Sequence, residues 1–169
     1  MPGAAGEGSS QPNFLLEAYW TCKDLETQSR MKTMEKATRI LGFGFDFLSP
    51  TDAATGNSTG RTKASPLSIT KFVDQSTPLE IDFLVRNKVI KETKIAYFSV
   101  NTSHNSGAVG RVKQMEITLV NARVVSVSPQ AVANASGVTE TISMTYDKIT
   151  ILDVPSTKQT DYEWTEAIQ

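Results

Sequence analysis

Between Leu67 and Asp82 the chain reads LSITKFVDQSTPLEID, an alternating strand that runs straight into a capped helix. Leu67, Ile69 and the less apolar Lys71 share one strand parity, while Ser68, Thr70 and Phe72 share the other. That is the period of a strand with one covered face. Ser76-Thr77-Pro78-Leu79-Glu80 then supplies a helix start. Thr77 can accept from the amide three residues on, Pro78 suits a first-turn position that needs no amide partner, and Glu80 can reach back to the cap. No other stretch starts a helix as clearly, and the remaining apolar runs alternate in twos. The expected fold is therefore mainly β, with one short α-helix.

A chain of 169 residues is one domain's worth, with enough sequence for a sizeable core. Its 17 basic and 18 acidic side chains leave a net charge of -1, no electrostatic footprint for nucleic acid or an anionic membrane. No apolar run approaches a membrane-spanning length. Residues 1–12, MPGAAGEGSSQP, have neither a basic start nor an apolar middle. They read as a disordered tail rather than a secretory signal, ahead of a single domain at 13–169. Any export would then bypass the general route. Cys22 is the single cysteine, so no internal disulfide forms, and it reads as a packed thiol.

The pattern divides into strands Phe14–Cys22, Ala37–Leu48, Ala64–Val73, Lys91–Val100, Arg111–Ser128 and Val138–Asp153, a helix from Pro78 to about Asn87, and a short tail strand at Tyr162–Trp164. Lys23–Lys36 is a polar connection. Ser49–Lys63, SPTDAATGNSTGRTK, is a long loop without core residues, and loops of that length in a compact domain usually serve a purpose. In the second strand Leu41, Phe43, Phe45 and Phe47 form a core face, and Gly42, Gly44 and Asp46 form a small opposite face. From Val120 to Val127 both parities are apolar, so Val120, Ala122, Val124, Val125 and Val127 are candidates for cover by a neighbouring subunit or by the helix. A parity switch near Asp147-Lys148 predicts a bulge that curls the sheet toward a barrel.

Catalytic and metal-binding constellations are missing from the pattern. The only histidine, His104, lies in a turn, NTSHNSG, and carboxylates are scattered. Asp74 and Lys71, three apart, read as a local ion pair. No catalytic residue, cofactor or metal is assigned, and the sequence is not that of an enzyme.

Several segments resemble the Hcp family, the tube proteins of type VI secretion systems. In LSITKFVDQSTP, residues Thr70, Lys71, Asp74, Ser76, Thr77 and Pro78 are similar to the family's strand-to-helix signature, with Ile69 in place of its usual Phe. EITLVNARVVSVSP resembles an acidic-apolar strand of the family through Val124 to Pro129. VTETISMTYDKITI is similar to a later strand through Thr139, Glu140, Ile142, Met144, Tyr146, Lys148 and Ile149. RILGFGFDF and the Tyr162–Trp164 tail extend the ordered match over roughly Ile40 to Trp164. The first 36 residues depart from the pattern. The resemblance implies a two-sheet β-barrel with one helix, assembled as a homo-hexameric ring, in rings that stack into a tube. It implies sheath, spike and baseplate proteins as partners, effector cargo in the lumen, and passage from the bacterial cytoplasm to the medium or a target cell. In such a ring Gly42, Gly44 and Asp46 are expected to line the lumen. The valine segment is expected at a subunit interface, and Thr51, Asp52, Asn57, Thr59 and Arg61 of the long loop at the contact between rings. A phage-type tail tube subunit and a monomeric small-ligand β-barrel are the rival readings.

Overall fold

A computed structural model describes residues 14–25, 36–101, 110–133 and 137–164. The tail expected at residues 1–12, His104 and most of the connection from Lys23 to Lys36 lie outside the described residues. In chain order the elements are β1 (Phe14–Cys22), β2 (Ala37–Ile40), β3 (Gly42–Gly44), β4 (Phe47–Leu48), β5 (Lys63–Ala64), β6 (Leu67–Phe72), α1 (Thr77–Val85), β7 (Ile90–Asn101), β8 (Arg111–Gln130), β9 (Thr139–Thr145), β10 (Lys148–Asp153) and β11 (Lys158–Glu163). All their pairings are antiparallel.

The spine is β8, 20 residues long. One edge pairs with β7 from Arg111 to Ala122. The other meets β10 from Met115 to Val120 and β9 from Arg123 to Gln130. So β9 and β10 are one return strand, interrupted at Tyr146 and Asp147. The hairpin turns a corner there. Asn121 has φ 51, its amide donates to Asp147 Oδ2 at 3.0 Å, and the Asp147 N–H donates to the Val120 carbonyl at 3.1 Å. A left-handed residue inside a strand redirects the chain, and asparagine tolerates that conformation better than most side chains.

Beyond the corner the outer edges diverge. β10 takes β11 as its neighbour, whereas β9 takes β6 and β6 takes β3. On the other side the order runs β8-β7-β1-β2. β2 and β3 stand at opposite ends of this order, yet only Leu41 separates them, and its N–H donates to the Thr70 carbonyl at 2.7 Å. The sheet thus curls into a barrel-like shape. Its hydrogen-bond ladder stays open at that point, and the chain itself crosses the gap.

This crossing explains why the expected strand Ala37–Leu48 is broken into β2, β3 and β4. Leu41, expected in the core, is 53% exposed because it sits at the crossing. Phe43 and Phe45 do pack against the core, and Phe47 stands at the rim edge-on to Tyr162. The expected strand Ala64–Val73 is likewise split at Ser65-Pro66, since proline cannot donate to a ladder. The core between the layers includes Trp20, Leu67, Ile69, Ile117, Leu119, Ile142 and Met144. Trp20 is satisfied there, donating from Nε1 to Thr93 Oγ1 at 2.7 Å. Burial pushes the Cys22 thiol up to about 11, as befits a packed and unreactive side chain.

The two apolar parities of Val120–Val127 have a different origin from the one expected. Core residues Ile117 and Leu119 lie on one parity, the Asn121 corner passes the inward direction to Ala122 and Val124, and a bulge between Val124 and Ser126 returns it to Val127. One core face changes parity twice. Ala122 and Val124 are buried within this chain and are withdrawn as subunit contacts, and Val127 also packs inward. Val125, the bulge residue, is 46% exposed, and Val120 is half-buried. The helix packs along β8 with Phe83 and Leu84 against the core, so part of the covering is internal.

Replacing Asn121 by Val should lower stability by about 2 kcal/mol. A β-branched residue in the left-handed region costs about 1–2 kcal/mol, and the bond to Asp147 is lost as well. Asn121→Gly should cost less, because glycine adopts the same backbone freely. Urea unfolding of both variants checks this ranking.

Candidate functional site

The small-residue face forecast from Gly42 and Gly44 extends across four strands. Gly42 opposes Thr70, which opposes Thr141, which opposes Ser128. One row along, Gly44 opposes Ser68, Ser143 and then Ser126. Opposed residues in antiparallel strands point to the same side, so these rows share the face turned away from the core. Ser68 and Ser143 are linked hydroxyl to hydroxyl at 2.9 Å, and Thr70 and Thr141 at 3.4 Å. Thr139, Thr145 and Gln130 extend the surface, exposed Phe72 stands in the row of Thr139 and Gln130 at its edge, and the charged residue among the described members of these rows, Arg123, stands 3.7 Å from Asp147. A methyl group placed at Gly42 or Gly44 would meet nothing within 4 Å, so packing does not demand glycine there. Asp46 follows β3 at the exposed margin, its N–H donating to Ser65 Oγ at 2.7 Å. The result is a broad, nearly uncharged surface of hydroxyl groups. Its members beyond Gly42, Gly44 and Asp46 went unnoticed in the sequence, although Ser68-x-Thr70 and Thr141-x-Ser143 carried the signal.

The long loop is an ordered arm. β4 and β5 start it as a two-stranded ladder, and Thr51 and Ser58 continue it as a bridge. Asp52 organises the tip, accepting from the Thr55 and Ala54 amides at 2.8 and 2.9 Å and from the Thr55 hydroxyl at 3.1 Å. Those bonds, led by the Thr55 amide, hold its carboxyl below the usual aspartate range. Gly56 takes φ 70, a value that suits glycine, and donates to the Asp52 carbonyl. Thr51, Asp52, Asn57, Thr59 and Arg61 are all exposed. The tip of the arm is held by local hydrogen bonds, and its base accepts one from the body, the Tyr162 hydroxyl donating to the Thr62 carbonyl at 3.1 Å.

Beneath the start of α1 lies a cluster that the sequence reading reduced to one ion pair. Lys71 is fully buried, and its Nζ lies 2.5 Å from Glu140 Oε1, 2.9 Å from Asp74 Oδ1 and 3.3 Å from Glu80 Oε1. Burial opposes the Lys71 charge, but hydrogen bonds to Glu140 and Asp74 outweigh it and raise its pKa. Burial also pushes at Asp74, yet bonds from Ser76 and Lys71 hold its carboxyl below the ordinary range. The three carboxylates approach one another within 4.8 Å, as metal ligands do, but the lysine ammonium takes the place a cation would fill. This cluster also changes the expected capping. Ser76, not Thr77, is the N-cap and makes no side-chain cap bond. The Thr77 hydroxyl donates to Glu140 at 2.8 Å, and Glu80 turns inward. At its far end α1 stops where Asn87 takes φ 48, with the Asn87 and Lys88 amides donating to the Leu84 and Phe83 carbonyls.

Among the described residues no helix is long and apolar enough to cross a membrane. Comparison with known proteins gives a consistent picture. The family model described as "Type VI secretion system effector, Hcp" matches residues 19–152. A search of curated proteins finds no match. Among solved structures, a crystal structure of an Hcp protein superposes with a TM-score of 0.76 at 14% identity, covering 88% of this chain and 99% of its own. A mutant Hcp1 from E. coli EAEC 042 gives 0.73 at 20% identity, covering 88% and 97%. The secreted protein Hcp3 from Pseudomonas aeruginosa gives 0.65 at 19%, covering 89% and 99%. At these identities the likeness carries the fold.

Removing the central cation should be costly. Lys71→Met leaves Glu80, Glu140 and Asp74 without their shared partner, a loss of about 3–5 kcal/mol by analogy with other broken buried pairs. Denaturant unfolding of the variant near neutral pH measures it.

Proposed function

The chain belongs to the Hcp family of type VI secretion proteins, and on that footing we propose that it is the repeating subunit of the inner tube, in six-membered rings whose lumen is the hydroxyl face. Hcp is a family of structural secretion proteins rather than enzymes, and its members self-associate and are secreted. The observation that carries the finer reading is the four-strand face of Gly42, Gly44, Ser68, Thr70, Thr141, Ser143, Ser126 and Ser128. A subunit seam favours apolar side chains, and an outer wall favours long charged ones. A neutral surface of small hydroxyls suits a channel through which a folded cargo must slide without being held by charge. Asp46 stands at the margin of that channel. The cargo is an effector, and the sheath, spike and baseplate proteins of the machine are the tube's further partners. The protein passes from the bacterial cytoplasm to the medium or a target cell.

A closed ring needs two different patches that meet head to tail. Val125 and half-buried Val120 remain candidates for one of them, and exposed Ile81 and Val85 on the outer side of α1 add apolar surface. The arm between Ser49 and Lys63, carrying Thr51, Asp52, Asn57, Thr59 and Arg61, makes the contact between successive rings. Its support is the combination of internal order and full exposure.

Native mass spectrometry should give a hexamer for the parent and for Gly44→Arg, because nothing packs on Gly44. The variant rings should lose effector retention, since each subunit now adds a cation to the channel. Monomeric parent protein would overturn the ring, and unimpaired retention by Gly44→Arg would move the lumen to another face.

Shortening the arm between Pro50 and Gly60 should leave the thermal transition nearly unchanged, because loop closure depends weakly on length. Rings should form, while tube growth and secretion fail. Electron microscopy of the variant distinguishes single rings from tubes.

A further inference from the structure

The Ser76 hydroxyl holds one proton, yet its oxygen lies 2.6 Å from Asp74 Oδ1 and 2.6 Å from Glu80 Oε1. A hydroxyl donates a single hydrogen bond. With both acids ionised, one of those contacts would set two oxygens together with no hydrogen between them. The geometry balances when Glu80 is a carboxylic acid. Its O–H donates to Ser76 Oγ, and Ser76 donates in turn to the Asp74 carboxylate.

The charge inventory leads to the same place. Lys71 faces three acids, so full ionisation would leave two uncompensated negative charges where Lys71, Glu80 and Glu140 are shut off from water. Glu80 Oε2 and Glu140 Oε2 are also buried without a partner, which is far costlier for a carboxylate than for a neutral acid. Among the described residues, no element packed on the cluster supplies a second cation. Lys71 is the only ionisable residue of β6 and Glu140 the only one of β9. On α1 the other acid, Asp82, is engaged with Arg86 and Lys88. Along β8, Arg111 pairs with Glu17, Lys113 with Glu116, and Arg123 with Asp147.

We propose that Glu80 is a protonated acid in the native subunit, latching the start of α1 to β6 and β9, and that its deprotonation as the pH rises releases the helix start. Burial is the main cause that pushes the Glu80 carboxyl up to about 7, against the opposing Ser76 bond and Lys71 charge, so the release falls in the neutral to mildly alkaline range. The sign follows. A native pKa raised above the usual glutamate value contributes stability that is complete below that value and lost as the pH climbs through about 7. Asp74, held low, acts oppositely and weakens the latch only in acid. Leu79, Ile81 and Val85 are exposed on the helix, so its release alters the apolar surface offered to a neighbour. This latch stands whether or not the chain builds a tube.

The test uses the full chain, as parent and as Glu80→Gln, across pH 6 to 9. The glutamine can donate to Ser76 as the acid does but cannot ionise. Infrared difference spectra should show a buried protonated-carboxyl band in the parent at pH 6 that vanishes by pH 9 and is absent from Glu80→Gln. Hydrogen exchange at the amides of α1, corrected for intrinsic rate, should lose about tenfold in protection from pH 6 to a plateau above pH 7 in the parent and stay level in the variant. A parent without that band at pH 6, a band that persists in Glu80→Gln, or helix protection in the parent that ignores pH would each overturn the proposal. If the variant fails to fold, the parent's band and helix protection decide it alone.

Discussion

A strand of 20 residues laid in one twisted sheet would carry its far end well away from the core, so β8 has to turn. It turns at Asn121, where a left-handed backbone is held by hydrogen bonds to Asp147 on the return strand. Everything else is arranged around that corner. Before it, β8 and β10 belong to the layer containing β7 and β11; after it, β8 and β9 belong to the layer containing β6 and β3. One hairpin therefore contributes to both layers of the core. At the other end of the strand order the chain crosses from one layer back to the other through Leu41 alone.

The second constraint is electrostatic. The start of α1 is tied to β6 and β9 by a buried lysine shared among three acids, together with the Thr77 hydroxyl on Glu140. Buried ion pairs add little net stability compared with apolar packing, but removing one partner is severe. Such a cluster therefore specifies where the helix must sit more than how strongly it is held. The ordinary capping contacts are given up for this purpose: Glu80 turns into the protein instead of back along its own helix.

These two constraints separate the molecule's surfaces. The layer of β3, β6, β9 and the end of β8 presents small hydroxyl side chains outward, because each alternates with a core residue such as Ile69 or Ile142. The arm leaves the same layer at its β3 end, its tip ordered by local bonds and its base tied to β11 by the Tyr162 hydroxyl donating to the Thr62 carbonyl. A body, a smooth face and a projecting arm are the parts that a stacked ring requires, and they arise here from alternation and turn chemistry rather than from any reactive group.

The sequence by itself determined the class of fold, the extent of β1, the helix start within a residue, the interruption near Asp147 and the family, because alternation, proline and turn residues act over a few positions. It also located Gly42 and Gly44 on an outward face. It misread Val120–Val127 as apolar on both sides, since a corner and a bulge shift parity without any mark in residue type; only the register of β8 against β9 and β10 separates buried Ala122 and Val124 from exposed Val125. It likewise reduced Lys71 to a partner of Asp74. The tertiary structure decided otherwise, for Glu140 lies 69 positions away in the chain and reaches Lys71 only because β6 and β9 pair with those two residues opposed. Local chemistry could be read along the chain; which distant groups share a proton or a face depends on strand register, and register is a property of the folded whole.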